Sequence, residues 1–554
     1  MATIPHDEPD CPPFDAFEED YEIGWEDDGE TGNAYLADHP PEIPLRVVNG
    51  GETSTSESYR ARDQARRNIE ALTFDDGKRT VTITSAPKRL YAILAAYFWP
   101  VRDTSGQVWL IPRRESTPRP NGGVCVPLMA DWTVNRAIAR FAEYFPHANL
   151  PSKDAVLTAL RALAGEAEEV GDLWVRWGRA DDGALWWDAG TGREFIRVDK
   201  DGWTLHARPG CYFRSGPTRT MPTPVRGGDL DDIWNFVPVK AADRSLVVAW
   251  MLTAMHPDRE TAAGILYLTG PEGSGKSTAA DKITEAIGSP IARKKLDMRR
   301  GDDRDLIVGA SAGWVLGLDN LSTLIAEQQD LLCTLATGHE ETYRVLHTTT
   351  DTVTLSIRRP ITMTSIDVPV LRPDLISRMV PVSLQGLDAP LPEDEIAKAW
   401  RASQPAIFGA VLDRLAEVMA APQPISQPAV MPRLAALGRI ALAADRDRGT
   451  ETLLRLAAVT SQLLGDTVTD DPFFDALART IRAKWRGSAA RLLEVLDPDG
   501  ELARRHGRNW PTAKGVSARL MRSQRALEGA GWVLSADHLP NNRGQVWTLT
   551  PPGL

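Results

Sequence analysis

The feature that most restricts the fold of this chain is a glycine-rich loop between an apolar run and a helix-forming run. The loop reads Gly-Pro-Glu-Gly-Ser-Gly-Lys-Ser over residues 270–277. Residues 265–269 before it are apolar and predict a buried parallel strand, and residues 276–287 after it predict a helix. This order is the context that a phosphate-binding P-loop requires. We therefore predict an α/β fold whose loop binds a nucleotide.

Each residue type in the loop has a physical role in phosphate binding. The glycines let backbone N–H groups close around the phosphates, and the helix N-terminus adds partial positive charge. Lys276 is expected to reach the β- and γ-phosphates of ATP, and the Ser277 hydroxyl to bind Mg²⁺. The predicted nucleotide-binding set is Gly270, Pro271, Glu272, Gly273, Ser274, Gly275, Lys276, Ser277 and Thr278.

A second apolar run, residues 314–318, ends in Asp319. An acid at the carboxyl end of a strand beside the P-loop strand is placed to hold Mg²⁺ together with Ser277. Asn320 follows it. An Asn side chain can orient water but cannot take its proton. Either hydrolysis is slow, or another acid serves as the base.

Between residues 341 and 384 the sequence predicts a hairpin and an arginine before a further strand. Residues 341–347 and 352–358 are β-rich and can pair across residues 348–351. Arg378 precedes the apolar run 379–384. An arginine far in sequence from the P-loop suits a finger supplied to the γ-phosphate of a neighbouring subunit; a surface salt bridge is the alternative. Arg372 is a further candidate for a phosphate or interface contact.

The charge of the chain is distributed unevenly. The net charge is −12, from 63 Lys and Arg against 75 Asp and Glu. Residues 1–30 contain twelve acids and no Lys or Arg, so the rest of the chain sums to zero. This leader is predicted to be disordered, either as a solvating tail or as a DNA-mimicking or partner-docking segment. The acidic total therefore does not exclude a nucleic-acid partner.

A basic module lies near the C-terminus. Residues 479–525 carry twelve Lys or Arg against four acids, a local +8. Residues 514–528 predict a helix, and two short strands follow, which indicates a winged helix-turn-helix. Its candidate DNA contacts are Lys514, Arg519, Arg522 and, in the wing, Arg543. The alternative is a solvated basic face on a protein-docking winged helix.

Other parts of the sequence limit the class of protein. Residues 171–225 hold short tryptophan-rich runs separated by turn signals, which predict a small antiparallel β unit. Its tryptophans either form a core or stack on bases. The cysteines form no CxxC pair, so we expect reduced, buried thiols. No apolar run approaches the roughly 18 residues of a membrane span, and we expect a cytoplasmic protein.

The core resembles superfamily 3 helicases, a branch of the AAA+ ATPases. More closely, the chain resembles the poxvirus/phage-type primase-helicases of actinobacterial prophages and integrative elements. The resemblance covers about residues 80–550 and is strongest over 262–386. It rests on the segments Gly270–Thr278, Gly313–Ser322, Leu332–Gly338, Arg359–Ile361, Arg372–Arg378, Trp187–Trp203 and Trp510–Thr512.

The resemblance implies a hexameric ring around single-stranded DNA. The hairpin over residues 342–358 would project into the pore, with Arg344, His347 and residues 348–350 as DNA contacts. The polar sensor residue, usually Asn in the family, falls on Thr364 or Ser365. The hairpin tip lacks the Lys of viral relatives. No primase acids are apparent before residue 260, so priming would need a separate partner.

We therefore expect five regions and one main function. The regions are an acidic disordered leader (1–65), an N-terminal helical and small β domain (66–225), an AAA+ core (226–390), a helical region (391–484) and a C-terminal winged helix (485–554). The expected function is that of an ATP-dependent DNA helicase or translocase in the replication of a phage or mobile element. An ATP-switched DNA-binding regulator or defence ATPase is the alternative, and a small-molecule P-loop kinase a more distant one.

Overall fold

In the computed structural model, the apolar run before the glycine loop is an inner strand of a four-stranded parallel sheet. This P-loop strand, Ile265–Thr269, lies between the Thr364 strand, Ile361–Ser365, and the edge strand, Met379–Ser383. The Asp319 strand, Leu316–Leu318, pairs with the far side of the Thr364 strand. The first four residues of the P-loop strand are fully buried. Burial on both faces explains why this run is continuously apolar rather than alternating.

The chain divides into two units. The first comprises residues 1–221 and 342–355, and the second 222–341 and 356–554. The structure describes residues 63–75, 80–82, 85–113, 120–215, 219–257, 262–291, 307, 310, 313–321, 324–344, 352–365, 371–386, 392–421, 431–446, 448–469, 471–507, 510–538 and 545–553.

The first unit contains more β-structure than its sequence predicts. The helices expected in the N-terminal region are present, but they are accompanied by several strands outside the small β unit. Short apolar runs beside prolines form a five-stranded sheet, which joins residues from 98 to 214. In order across the sheet, its strands are Tyr212–Arg214, Gly123–Pro127, Val108–Pro112, Phe98–Arg102 and Glu168–Glu169. The helices packed in this unit are Ala86–Tyr97, Asp131–Tyr144 and Lys153–Ala164.

The predicted antiparallel β unit is confirmed. Its four strands are Trp177–Arg179, Leu185–Asp188, Phe195–Asp199 and Gly202–His206, each paired with the next. Trp177, Trp187 and Trp203 are at most 1% exposed. These tryptophans therefore form a core, and the alternative that they stack on bases is wrong for them. Two further pairs of strands are Thr73–Asp75 with Thr80–Thr82 and His339–Arg344 with Thr352–Ile357.

Helices make up most of the second unit around the parallel sheet. They are Arg244–Ala254, Lys276–Ala286, Ala326–Thr337, Pro373–Ile376, Glu393–Ala420, Ala435–Asp445, Thr452–Thr469 and Pro472–Thr480, with 3₁₀ turns at Leu230–Asn235 and Ala241–Asp243. The long helix Glu393–Ala420 contains Pro405, which lacks the N–H of a helix bond. The Pro405 carbonyl accepts a hydrogen bond from the Val225 N–H at 2.9 Å. This hydrogen bond attaches Val225 to the helix Glu393–Ala420.

The C-terminal module differs from its prediction in two respects. The single helix expected over residues 514–528 is two helices, Ala513–Arg522 and Gln524–Gly529, which are separated at Ser523. A short strand, Trp485–Ser488, was not predicted because four residues with two polar side chains give no clear alternation. It pairs with Gln545–Thr550, which also pairs with Val533–His538. The remaining helices are Ala489–Leu496 and Glu501–His506.

Three of the cysteines lie within the described ranges. Cys125, Cys211 and Cys333 are free and buried, as expected. Burial raises the pKa of the Cys125 and Cys211 thiols far above the ordinary value, and that of Cys333 to about 11. Across the described ranges, no helix is long and apolar enough to cross a membrane.

Two helical glycines give a stability test with opposite expected signs. A Cβ at Gly409 would lie 1.8 Å from the Val225 carbonyl oxygen, whereas a Cβ at Gly465 would meet nothing within 4 Å. Gly409→Ala should therefore lower the free energy of unfolding by about 1–3 kcal/mol. Gly465→Ala should raise it by about 0.5–1 kcal/mol, because alanine loses less backbone entropy on folding. Chemical denaturation measures both, and equal effects would contradict the packing described around Gly409.

Candidate nucleotide site and nucleic-acid surfaces

The loop after the P-loop strand has a backbone that only glycine adopts without strain. Gly270, Gly273 and Gly275 have φ of 157°, 76° and 71°. A Cβ at Gly270 would lie 2.8 Å from the Ser274 Oγ and 3.1 Å from the Leu384 carbonyl oxygen. Side chains at these positions would be strained whatever the space around them. The loop is therefore a backbone-lined cradle that leads into the helix Lys276–Ala286.

Two polar side chains of the loop point to an anionic ligand. The Lys276 ammonium donates hydrogen bonds to the carbonyl oxygens of Gly270 and Pro271, both at 2.8 Å. It is only 9% exposed, and these contacts hold it over the loop. The Ser274 hydroxyl is fully buried and has no hydrogen-bond partner among the described residues. A buried, unsatisfied hydroxyl is costly, so an oxygen-rich ligand in the loop would relieve that cost.

Three side chains meet at the carboxyl ends of the parallel strands. The Ser277 hydroxyl donates to the Asp319 Oδ1 at 2.6 Å, and the Thr364 hydroxyl donates to the same oxygen at 2.7 Å. The geometry follows from strand order: the Thr364 strand lies between the P-loop strand and the Asp319 strand. Parallel strands present their carboxyl ends at one edge, where ligands of α/β sheets bind.

The backbone after Asp319 turns sharply around Thr364. The Asn320 N–H donates to the Thr364 hydroxyl oxygen at 2.8 Å, and the Leu321 N–H donates to the Thr364 carbonyl at 2.9 Å. Asn320 has a φ of 55°, a left-handed conformation that Asn tolerates better than most residues. Its side chain is exposed beside Asp319. The residue next to Asp319 therefore carries an exposed amide and not a carboxylate.

The neighbouring hydroxyl, Ser365, has a different role. Its Oγ lies 2.6 Å from the phenolic oxygen of Tyr267, and Ser365 is fully buried. Burial raises the pKa of Tyr267 to about 12. Of the two residues considered for the polar sensor, Thr364 contacts Asp319 and Ser365 contacts Tyr267.

The oxygen ligands at this edge suit Mg²⁺. Ser277 and Asp319 provide a hydroxyl and a carboxylate, and Mg²⁺ is usually held by one or two carboxylates together with substrate phosphates and waters. No group of three or more His, Cys, Asp or Glu that could hold a metal occurs among the described residues. One hydroxyl and one carboxylate fit a metal that arrives bound to phosphates.

The two candidate finger arginines differ in exposure and in partners. The Arg378 side chain is 10% exposed and pairs with Asp374 of its own chain at 2.7 Å. Burial alone would raise the pKa of Asp374, but the hydrogen bond and charge of Arg378 outweigh it and lower that pKa. Arg433 also pairs with Asp374. Arg372 is 32% exposed and pairs with Asp330 at 2.6 Å. The finger role predicted for Arg378 needs a guanidinium that reaches another subunit, whereas here it faces inward.

The candidate DNA contacts fall into four groups. Lys514 is exposed at the start of the helix Ala513–Arg522. Arg519, on the same helix, is instead paired with the buried carboxylate of Asp471 at 2.5 Å and lies over the Phe473 ring. This pairing argues against the predicted DNA contact by Arg519, because its charge is already neutralised. Arg344 and Arg522 lie in described elements, without described side chains, while His347, residues 348–350 and Arg543 lie outside the described residues.

Asp471 was not singled out from the sequence, although a signal was present. It directly precedes Pro472, the first residue of the helix Pro472–Thr480, and its carboxylate accepts from the Phe473 N–H at 2.9 Å. Asp before Pro at the start of an apolar helix is a typical N-cap pattern. The pattern identifies the cap, but the pairing with Arg519, 48 residues later, requires the fold.

Two family models match this chain. Residues 230–467 match the model described as actinomycete integrative conjugative element replication protein. Residues 473–553 match the model of the AICE RepA C-terminal domain. No curated protein matches the chain.

Several solved structures are similar to this chain at low sequence identity. The apo structure of the NrS-1 C-terminal region (305–718) has a TM-score of 0.36 and 10% identity, and the match covers 85% of this chain and 100% of that one. A JCV helicase with a bound acetamide compound has a TM-score of 0.19 and 14% identity, and the match covers 42% of this chain and 69% of that one. NtrX from Brucella abortus with ADP has a TM-score of 0.19 and 15% identity, covering 52% and 68%. TM-scores this low do not establish a common fold.

The different surroundings of Arg519 and Lys514 give a test of the C-terminal module. Arg519→Ala should lower the free energy of unfolding by about 2–3 kcal/mol, because it leaves the buried Asp471 unpaired. Lys514→Ala should change it by no more than about 0.5 kcal/mol, since the side chain is exposed. Lys514→Ala should instead weaken duplex binding. It should also reduce the slope of log affinity against log salt concentration by about one. Chemical denaturation and salt-dependent fluorescence anisotropy measure these effects. An Arg519→Ala variant of full stability that binds DNA weakly would reverse this assignment.

Proposed function

We propose that this chain is an ATPase of the AAA+ class that acts on DNA as a helicase or translocase in the replication of an integrative element. The observation that carries the proposal is the meeting of Ser277, Asp319 and Thr364 beside a glycine cradle. A hydroxyl and a carboxylate at the carboxyl edge of a parallel sheet, next to a P-loop lysine, are the groups that a Mg²⁺–nucleotide requires.

The residues of the loop would hold the phosphates by exchanging contacts. Lys276 now donates to two carbonyl oxygens of the loop. On binding, its ammonium would move from these carbonyls to phosphate oxygens, and the backbone N–H groups of residues 270–278 would donate to the same anion. The buried Ser274 hydroxyl, without a partner among the described residues, would gain an acceptor. Lys276 would thus exchange neutral acceptors for charged ones, and Ser274 and the backbone donors would gain charge-assisted hydrogen bonds.

Ser277 and Asp319 would hold the Mg²⁺, which would neutralise phosphate charge when bound. Thr364 holds the carboxylate of Asp319 in place through its hydroxyl, and its backbone carbonyl and hydroxyl fix the turn that carries Asn320. Asn320 would orient the attacking water through its exposed amide. Because an amide cannot accept the proton, we expect slow turnover unless another acid acts as base.

The match of residues 230–467 to a replication-protein family favours DNA over a small metabolite as the second substrate. A small-molecule kinase has no need of a hairpin, interface arginines or a basic C-terminal module. We propose that the five regions predicted from the sequence are functional regions, with 226–390 as the ATPase core and 485–554 as a winged helix. Duplex DNA would contact Lys514, Arg522 and Arg543.

The proposed assembly is a hexameric ring with single-stranded DNA in its pore. Arg344 and His347 of the hairpin would contact that strand. Arg378 or Arg372 would reach the nucleotide of the next subunit, and Arg378 would first have to leave Asp374. Opening this ion pair would remove the counter-charge of a buried arginine, so assembly would have to supply a competing anion. A separate primase would provide the primers.

One observation favours a second candidate function. Asn320 occupies the position after Asp319 with an exposed amide, which suits nucleotide binding without rapid hydrolysis. The chain would then be an ATP-switched DNA-binding regulator or defence ATPase that does not unwind DNA.

Substitutions at Lys276 and Thr364 should distinguish the residue that binds the nucleotide from the residue that positions Asp319 for Mg²⁺. Lys276→Ala should abolish detectable nucleotide binding, because no other loop side chain supplies a cation. Thr364→Val should weaken Mg²⁺-dependent binding about three- to tenfold, since Asp319 loses one of its two hydroxyl donors, a contact worth about 1 kcal/mol. Thr364→Ser keeps that donor and serves as the control. Fluorescent-nucleotide titration with and without Mg²⁺ measures these affinities. Unchanged affinity in Lys276→Ala would show that the nucleotide binds elsewhere.

DNA stimulation of ATP hydrolysis distinguishes the two functions. A helicase or translocase should hydrolyse ATP about tenfold or more faster with single-stranded DNA and should separate a forked duplex, because translocation couples turnover to the strand. A regulator should bind DNA in an ATP-dependent way without separating the fork. Phosphate release and fluorescence-quenched fork assays with the full chain measure both, with Lys276→Ala as the background. The absence of any effect of DNA on either activity or affinity would contradict both functions.

A further inference from the structure

The helix Ala326–Thr337 begins with two buried glutamines. Gln328 and Gln329 are each 3% exposed. A buried amide is costly unless its donor and acceptor both find partners. The Gln328 Oε1 accepts from the Ile325 N–H at 3.1 Å, at the start of its own helix. Gln329 has a different pattern, since its side chain bonds to two separate segments.

The Gln329 amide joins the segment after Asp319 to the segment that carries the candidate finger arginines. Its Nε2 donates to the Leu324 carbonyl at 3.1 Å, and its Oε1 accepts from the Arg372 N–H at 2.7 Å. Leu324 follows Asp319 by five positions (324 − 319). Arg372 directly precedes the short helix Pro373–Ile376. One planar amide therefore fixes the separation of these two backbones.

The arginine segment is held to the same helix by its side chain as well. The Arg372 Nη1 donates to the Asp330 Oδ1 at 2.6 Å and to the Ala326 carbonyl at 3.4 Å. Asp330 is 62% exposed, so this outer pair is screened by solvent. The bond from Gln329 lies in the interior and is not screened in this way. Of these contacts, the Gln329 amide is the one that can set the position of the Arg372 backbone.

We propose that Gln329 is a positioning residue that couples the nucleotide site of one subunit to the arginines that the same subunit offers its neighbour. The inference rests on the proposed ring ATPase. A shift of Asp319 on nucleotide binding would move the Leu324 carbonyl, and the Gln329 amide would carry that displacement to Arg372. Communication between sites then depends on a residue that touches neither nucleotide.

The test compares the ATP dependence of hydrolysis in matched variants of the full chain. Gln329→Leu removes both bonds at similar volume, and Gln329→Glu keeps an acceptor for the Arg372 N–H. Gln328→Leu is the control, since Gln328 is equally buried. With coupling intact, the wild-type Hill coefficient for ATP should be about 2 or more. Gln329→Leu should lower it to about 1, the value for sites that do not communicate, and should reduce kcat, while the nucleotide Kd changes less than about twofold.

Gln329→Glu should give intermediate cooperativity, and Gln328→Leu should keep the wild-type Hill coefficient. If Gln329→Leu does not unfold cooperatively on heating, it is not correctly folded, and Gln329→Glu is then compared with the wild type instead. The inference is overturned if folded Gln329 variants keep wild-type cooperativity and kcat, or if Gln328→Leu loses as much as Gln329→Leu. A wild-type chain that hydrolyses ATP without cooperativity also overturns it but leaves the proposed function standing. A wild-type chain without ATP hydrolysis overturns the proposed function itself.

Discussion

A single carboxylate oxygen organises the candidate site. The Asp319 Oδ1 accepts hydrogen bonds from the hydroxyls of Ser277 and Thr364, which come from a helix start and from the end of a different strand. Such bonds are charge-assisted and stronger than those between neutral groups. Their geometry depends on strand order, because the Thr364 strand has to lie between the other two. The fold is therefore organised so that three segments distant in sequence meet within hydrogen-bond distance.

Features fixed by local chemistry could be predicted from the sequence. The glycine loop could be predicted because its backbone has positive φ angles that favour glycine. The strand before it and the helix after it follow from their apolar and helix-forming residues. Thr364 and Ser365 could not be ranked from sequence alone, since both end the same strand. Register separates them: Leu268 pairs with Thr364 and Thr269 with Ser365, and successive side chains on a strand face opposite sides. Ser365 then meets Tyr267, while Thr364 meets Asp319.

The predictions that were incomplete or wrong depended on distant partners. Arg519 has the sequence signature of a basic recognition helix, yet it neutralises Asp471, the N-cap of the helix Pro472–Thr480. The strands of the first unit are short and interrupted by prolines, and they become a sheet only when residues 98–127 join residues 168–214. Short apolar runs do not distinguish a strand from a buried helix segment. Such elements depend on pairing with segments distant in sequence, and the local pattern of apolar residues does not indicate that pairing.

The contact of Asp374 with two arginines has a consequence for how related chains can differ. Arg378 lies four residues away on the same segment, whereas Arg433 comes from a region 59 residues later. Loss of the carboxylate would leave Arg378 buried without its counter-charge. Loss of Arg378 would leave the exposed Arg433 to neutralise Asp374. Substitutions at residues 374, 378 and 433 should therefore destabilise the chain less when they occur together than when they occur singly. Across natural relatives, residues 374, 378 and 433 should covary, and positions 374 and 378 should be the most tightly linked.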